Sequence, residues 1–289
     1  MRISIIIPVY KTERYLPALR ASLEKAIAKV ENAGIELIFQ EDAKGEGVSR
    51  TRNAAIERAT GEWIGFVDSD DLVSEDWFAA AAKAIEANPD ADIVHMGNGK
   101  GIARTTEGTE ARKRSLGIYA RDGYSWLNFV RKEFLGGTRY SEKLRMKEDN
   151  LFFLELARRI DKLVECDARG YFYRMREGSA IHVPRQIGEA ETFLSEALAI
   201  ERRWEESGVD MREVRRGFGR LLGWDFVHWA RERGEKDSEY RRLWREAVKK
   251  GEIDVGGAMP WWRPGLRWWL MTDGLWLHRV VYWTRMKLA

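Results

Sequence analysis

Gly61-Glu62-Trp63-Ile64-Gly65-Phe66-Val67-Asp68-Ser69-Asp70-Asp71 decides how this chain is read. Trp63, Phe66 and Val67 place apolar groups on both faces of a short run. An interior strand covered by helices on either side has that pattern. The run stops at three carboxylates within four residues. Like charges this close repel one another unless a cation sits among them. A divalent metal carrying a phosphate would serve, because hard cations prefer oxygen ligands. In open α/β sheets ligands collect outside the carboxyl ends of the strands, where these acids fall. The competing reading is a solvated turn that caps the next helix, and the cluster alone does not separate the two.

The flanking sequence extends the strand into a sheet. Ile3–Pro8 is a β-branched run that Pro8 should end, since proline donates nothing to a ladder. Leu16, Leu19, Leu23, Ile27 and Val30 recur at helical spacing, with Pro17 in the first turn and Gly34 closing the helix. Ile35–Phe39 reads as a second strand and Val48–Ala59 as a helix bearing Arg50, Arg52 and Asn53. Strand–helix–strand–helix–strand by residue 71 is the alternation of a parallel α/β sheet.

Further along, Ser74 is the expected N-cap of a helix through Ala87, and Ile93–Met96 is a strand. Residues 97–117 read as a loop with a hairpin. Tyr124, Leu127, Val130 and Phe134 mark a helix ending at Gly136-Gly137. Lys147-Glu148-Asp149-Asn150 opens an apolar helix, and Leu163–Cys166 is another strand. After Pro184 the pattern changes to charged amphipathic helices, with Val214, Phe218, Leu221, Leu222, Phe226 and Trp229 on one stripe. The expected division is therefore a catalytic domain over 1–184 and a helical region over 185–289.

Composition sets outer bounds. The 289 residues, 44% hydrophobic and 33% charged, suit a folded chain with one large core and a smaller appendage. A net charge of +3 between 49 basic and 46 acidic side chains gives no argument for nucleic acid. The single Cys166 excludes an intramolecular disulfide and fits a reducing compartment. Met1–Tyr10 has no signal-peptide character, and no uncharged run approaches the ~20 residues that span a bilayer. A cytoplasmic location is the expectation. Tryptophan is the outlier, with 13 in all and six after residue 260, interleaved with arginine. That tail suits peripheral docking at the inner face of the membrane, where indole rings sit at the headgroup level and cations meet anionic lipid. Packing of the tail against the catalytic core is the alternative.

Three segments together resemble the family 2 glycosyltransferases with the A-type nucleotide-sugar fold. They are Ile3-Ser-Ile-Ile-Ile-Pro-Val-Tyr10; Gly47-Val-Ser-Arg-Thr-Arg-Asn53 running into Ala59 through Asp71; and Glu148-Asp149 followed by Tyr171-Phe-Tyr-Arg and Gly178-Ser179. The resemblance covers about residues 1–182 and implies a Rossmann-like, mostly parallel sheet. It implies a metal-dependent inverting transfer of sugar from a nucleotide donor, most simply UDP-linked, to a glycan or lipid-linked acceptor. Pro8, Tyr10, Asp42, Arg52 and Asp68 would form the nucleotide side of the site, with Tyr10 beside the base and Asp42 accepting from it. Asp68 and Asp70 would hold Mn²⁺ or Mg²⁺, with His182 as a third ligand, and Asp149 would be the general base. Arg174 and Arg176 alternate, so that one would face the diphosphate and the other solvent. Where the family carries Asp-Asp-Gly-Ser this chain has Glu41-Asp42-Ala43-Lys44. Either Glu41-Asp42 is the retained acidic pair and the helix and strand that follow are deleted, which Ile35–Phe39 as second strand favours, or the deletion removed that pair. A catalytically silent glycan-binding or membrane-scaffolding relative is the rival reading. A sugar-1-phosphate nucleotidyltransferase would want a glycine- and lysine-rich phosphate loop that Pro8-Val9-Tyr10-Lys11 does not supply.

Overall fold

The structure, a computed structural model, describes residues 1–97, 103–175, 187–233 and 238–251. Two compact units emerge, Met1–Val183 with Glu206–Gly208, and Pro184–Glu205 with Val209–Ala289.

The first unit opens with β1 (Arg2–Val9), α1 (Leu16–Ala28), β2 (Gly34–Glu41), α2 (Val48–Arg58) and β3 (Trp63–Phe66). There follow β4 (Leu72–Val73), α3 (Trp77–Ala87), β5 (Ile93–Met96), β6 (Arg104–Glu107) and α4 (Gly108–Asp122). The unit continues through β7 (Asn128–Arg131), α5 (Lys132–Leu135), α6 (Glu148–Ala157), β8 (Lys162–Cys166) and β9 (Tyr171–Phe172). Seven strands form a mixed, mainly parallel sheet in the order β2-β1-β3-β7-β5-β8-β6. β1 lies between β2 and β3 and pairs parallel with both, and β5 pairs parallel with β8. β7 runs antiparallel to β3 and β5, and β6 antiparallel to β8.

Alternation along β1 explains the layers. Ile3, Ile5, Ile7 and Val9 enter a core with Leu19 and Leu23 of α1 and Phe78 and Ala81 of α3. Ser4, Ile6 and Pro8 are buried on the opposite face, where α2 packs on β1. Both faces are thus covered, and an apolar run in β1 satisfies both. Gly61 has a steric reason. A Cβ there would lie 2.7 Å from the Ser4 backbone nitrogen and 2.9 Å from the Arg2 carbonyl oxygen. Its N–H also donates to Ser4 Oγ at 2.8 Å.

Several expectations are corrected. Pro8 does not end β1, which continues to Val9; the Cα partner of Pro8 on β2 is Gln40. Gly34 starts β2 and does not close α1, which ends at Ala28. Ser74 is not the N-cap of α3: its carbonyl, not its hydroxyl, accepts the Trp77 N–H (3.2 Å), and Asp76 precedes the helix. The stretch expected to be loop contains β6 and α4. The buried residues of α4 are Ala111, Ser115, Leu116, Ile118, Tyr119 and Ala120, half of them small or weakly apolar. β6 is a mostly exposed edge strand without an apolar signature. The helix expected over Tyr124–Phe134 is instead a 3₁₀ turn (Ser125–Leu127), then β7, then α5. Leu127, Val130 and Phe134 each lie in a different element, so their helical spacing is coincidental.

The second unit contains α7 (Ile187–Arg203), a 3₁₀ turn whose first residue is Trp204, α8 (Met211–Arg233) and α9 (Ser238–Lys249). Val214, Phe218, Leu221 and Leu222 of the expected stripe are buried, and Trp244 of α9 is fully enclosed. The tail over 261–289 lies outside the described residues. Among the described residues no helix is long and apolar enough to cross a membrane.

Candidate active site

The candidate site sits beyond the carboxyl ends of β1, β2 and β3, as the parallel arrangement requires. β1 delivers Tyr10, which is 46% exposed. β2 delivers Asp42, whose two carboxylate oxygens accept the N–H groups of Glu46 and Gly47, each at 2.8 Å. That pair of bonds folds residues 42–47 into a closed loop leading into α2. A Cβ at Gly45, which holds a φ of +70°, would meet the Tyr10 hydroxyl at 3.1 Å, so Tyr10 borders this loop. Asp42 and Tyr10 therefore lie at one edge of the site. Pro8 is buried within β1. Thr12 and Ser69 join their hydroxyls at 2.8 Å and tie the exit of β1 to the acidic segment.

Arg52 stands at the centre. It projects from α2 and is only 4% exposed. Its Nη2 donates to Asp68 at 3.0 Å and its Nη1 to Glu148 at 2.9 Å, with Asp149 at 4.0 Å. One guanidinium thus joins the acids after β3 to the acids that open α6, an arrangement suited to its fixed fork of donors. Burial alone would lower its pKa, but Asp68, Asp149, Tyr140 and Glu148 more than offset that, so the cation is held more firmly than usual. Its Nε has no hydrogen-bond partner among the described residues. The Tyr140 ring lies 5.4 Å from the guanidinium carbon and completes the enclosure.

The carboxylates have different surroundings. Burial raises Glu148 well above the ordinary range, Asp149 adds to the rise, and Arg52 opposes it. Asp68 is also raised, first by burial and then by Asp149 and Asp70, against the pull of Arg52. Asp71 is almost fully enclosed. It accepts the Tyr171 hydroxyl at 2.7 Å and the Arg174 N–H at 2.7 Å, and burial with nearby Asp68 pushes it up to about 7. Asp71 is thus a clasp on the β9 segment, distinct from Asp68 and Asp70. The backbone N–H of Asp68 donates to the same Tyr171 oxygen at 3.0 Å.

Asp149 lies at the first turn of α6. The chain enters that helix through Lys147 at φ 66°, a conformation uncommon outside glycine, which turns Glu148 and Asp149 inward. Asp149 Oδ2 accepts the Ser125 N–H at 3.3 Å and the Ser125 hydroxyl at 3.2 Å. Ser125 and Tyr140 in turn join hydroxyls at 2.9 Å.

The structure therefore brings Arg52, Asp68 and Asp149 together and places Tyr10 and Asp42 at the neighbouring strand ends. His182 and Arg176 lie outside the described residues. Arg174 rests its guanidinium over the Tyr15 ring at 4.8 Å. His95 lies apart from this cluster in its contacts, buried with its Nδ1 2.9 Å from Asn128 Oδ1. Sequence reasoning missed Ser125 and Tyr140, and gave no role to Tyr171 although it lies in one of the matching segments, because a hydroxyl held inside a core has no pattern of its own. Glu148 was visible as half of an acid pair. The signal for its role was Arg52, a cation on the buried side of a helix.

Among the described residues, no group of three His, Cys, Asp or Glu side chains is arranged to hold a metal ion. The donor chemistry nevertheless fits one: Mg²⁺ and Mn²⁺ are commonly held by one or two carboxylates and completed by substrate phosphates. Asp68 and Asp70 are the two carboxylates that would form such a pair.

Comparison with known proteins agrees with this architecture. Residues 34–149 match the family model Glycosyl transferase family 2. TarS of Staphylococcus aureus, a poly(ribitol-phosphate) β-N-acetylglucosaminyltransferase, is 26% identical over 209 residues, covering 62% of this chain and 36% of TarS. The succinoglycan biosynthesis protein ExoO of Rhizobium meliloti is 29% identical over 194 residues, covering 58% of this chain and 55% of ExoO. The chain thus spans about a third to a half of the length of these relatives. The crystal structure of residues 1–349 of TarS with UDP-GlcNAc superposes with a TM-score of 0.66 at 20% identity. That match covers 88% of this chain and 82% of the other, and it shows the A-type glycosyltransferase fold.

Proposed function

We propose, from the match of residues 34–149 to the glycosyl transferase family 2 model, that the chain moves a sugar from a nucleoside diphosphate-sugar donor to a hydroxyl of a surface glycan, with inversion. The observation that carries this reading is the Arg52 bridge, which sets Asp68 on the donor side within one side chain of Asp149 on the acceptor side. TarS is a poly(ribitol-phosphate) β-N-acetylglucosaminyltransferase whose crystal structure holds UDP-GlcNAc, and ExoO is a succinoglycan biosynthesis protein, which supports a UDP-sugar and a polymer acceptor here.

In this reading Tyr10 borders the base and the loop 42–47 closes over the nucleoside. Asp149, oriented by Ser125, takes the proton of the acceptor hydroxyl as its oxygen attacks the anomeric carbon. The bond to the diphosphate breaks in the same step and its electron pair leaves with the nucleotide. A divalent ion on Asp68 and Asp70 would supply charge neutralisation for the departing diphosphate. Arg52 keeps the two acid groups apart in role: it offsets Asp68 and Glu148 while Asp149 stays at its far edge. The 1–184 segment would carry catalysis and 185–289 would be the helical appendage. An acceptor attached to a lipid carrier, with the Trp- and Arg-rich tail docked at the inner membrane surface, completes the proposal.

The test is a donor-hydrolysis and transfer screen over nucleotide sugars with Mn²⁺, alongside calorimetry with UDP. Asp149→Asn should lower turnover about 10²–10⁴-fold while UDP binding is retained. Turnover indifferent to that change removes Asp149 from its role. Absence of any metal-dependent UDP binding by the wild-type chain points to a silent relative instead.

A further inference from the structure

Beside Asp149 lies a group of aromatic rings that the donor chemistry does not use. Tyr124 stacks on Trp126 with centroids 5.4 Å apart and planes 17° from parallel. Trp126 stacks on Tyr171 at 4.1 Å and 12°. Tyr171 is the ring whose hydroxyl oxygen joins Asp68 and Asp71, so the stack is anchored in the acid cluster. Ser125, the residue between Tyr124 and Trp126, is the one that holds Asp149 by two hydrogen bonds. Ring and base are therefore fixed by consecutive residues of one 3₁₀ turn.

At the outer end the stack is incomplete. Among the described residues Tyr124 meets one ring, Trp126, yet 49% of its surface is exposed. Tyr173, two residues beyond Tyr171, is 48% exposed. The Tyr124 hydroxyl is raised by burial, then by Asp122, Asp149 and Tyr173, which puts it within electrostatic reach of both the base and Tyr173. An exposed ring with its other face rigidly backed loses little entropy on binding, which is how aromatic anchors gain affinity. Ligand sites of this type combine an aromatic wall with a few polar groups that set orientation.

We propose that Tyr124, backed by Trp126, is a stacking platform for the cyclic sugar residue of the acceptor whose hydroxyl Asp149 deprotonates. The flat C–H face of a pyranose fits a flat ring, whereas an open-chain polyol presents no such face. The assignment deepens the transferase reading and rests on it for the identity of the reacting hydroxyl. The stacking itself does not.

The test uses saturation-transfer NMR on the intact chain with methyl β-D-glucopyranoside and methyl N-acetyl-β-D-glucosaminide as probes and ribitol as the open-chain control. Calorimetry with UDP runs in parallel. The wild type and Tyr124→Phe should saturate the ring C–H protons of the glycosides, with ribitol weaker. Tyr124→Leu and Tyr124→Ala should weaken glycoside binding roughly five- to tenfold with UDP affinity unchanged. Glycoside binding equal in the wild type and both truncations, or undetectable in the wild type, overturns the platform. Ribitol binding as strongly as the glycosides overturns its preference for rings. Loss of UDP binding in every form, with glycoside binding still dependent on Tyr124, sinks the donor reading and leaves the platform standing.

Discussion

Arg52→Met is the perturbation that most directly questions the site. The side chain is 4% exposed and touches two carboxylates near 3 Å, with a third at 4.0 Å. At an effective dielectric of ~20, each contact near 3 Å contributes roughly 5 kcal/mol. Desolvating the guanidinium and the carboxylates consumes much of that gain, so the useful quantity is the cost of removing one partner. For a buried pair that cost is about 3–5 kcal/mol, because the remaining charges lose compensation. A domain stable by about 5–15 kcal/mol would then lose roughly a fifth or more of its margin. Methionine nearly keeps the length, so the lost term is electrostatic. Arg52→Met in a Glu148→Gln background removes one of the stranded acids, and the incremental cost should shrink to about 1–2 kcal/mol, read as coupling in a double-mutant cycle. Urea unfolding followed by circular dichroism at pH 7.5 measures all four proteins.

The stability of the same variant should also depend on pH. Glu148 is already raised by burial and by Asp149, and without Arg52 it rises further. A carboxyl whose folded pKa lies above its unfolded value keeps its proton in the native state and is ionised when unfolded. Its contribution to stability therefore falls as pH rises through that interval. The Arg52→Met deficit should be smaller at pH 5 than at pH 7.5. A deficit under about 1 kcal/mol, or one unchanged by Glu148→Gln and by pH, would refute the claim that Arg52 is what allows these acids to coexist.

Other consequences concern the scaffold. Gly61→Ala places a methyl group 2.7 Å from the Ser4 backbone nitrogen, where no side chain can yield, and should cost about 1–3 kcal/mol in the same urea assay. His95 is buried and its pKa is lowered, first by burial. The unfolded chain therefore binds the proton more readily, and stability should fall as pH drops below about 6.5, by at most about 1.4 kcal/mol at pH 5.5. His95→Gln should remove that component of the slope; an identical slope in the variant would mean other groups produce it.

Much of this was legible in the chain because the relevant physics is local. β1, β2, α2 and β5 carry β-branched runs or helical spacing long enough to fix their type, and Asp68, Asp70 and Asp149 stand where a parallel strand or helix begins or ends. The unread parts have short or polar signatures. α4 buries Ala111, Ser115 and Ala120 beside Leu116, Ile118 and Tyr119, so half of its buried side carries only a weak apolar signal. Asp42 was legible as an acid after β2, but its bonds to Glu46 and Gly47 follow from loop closure over five residues, which no spacing encodes. Ser125 and Tyr140 matter only through contacts with Asp149 and with each other, and such contacts need the assembled fold.

The misread stretch 124–134 shows why topology, more than any motif, builds the surroundings of Asp149. Had it been one helix, no strand would separate β3 from β5. As β7, it runs opposite to β3, with Ile64 facing Val130 and Trp63 facing Arg131. A strand reversed in this way begins where its neighbour ends. The residues just before β7 are therefore delivered to the carboxyl end of β3, beside Asp68, and those residues are Tyr124, Ser125 and Trp126. From there Ser125 reaches Asp149 and Trp126 reaches Tyr171, which the β4–β9 ladder has pinned from the other side. The strand that interrupts the parallel order between β3 and β5 is what carries a rigid aromatic surface to Asp149.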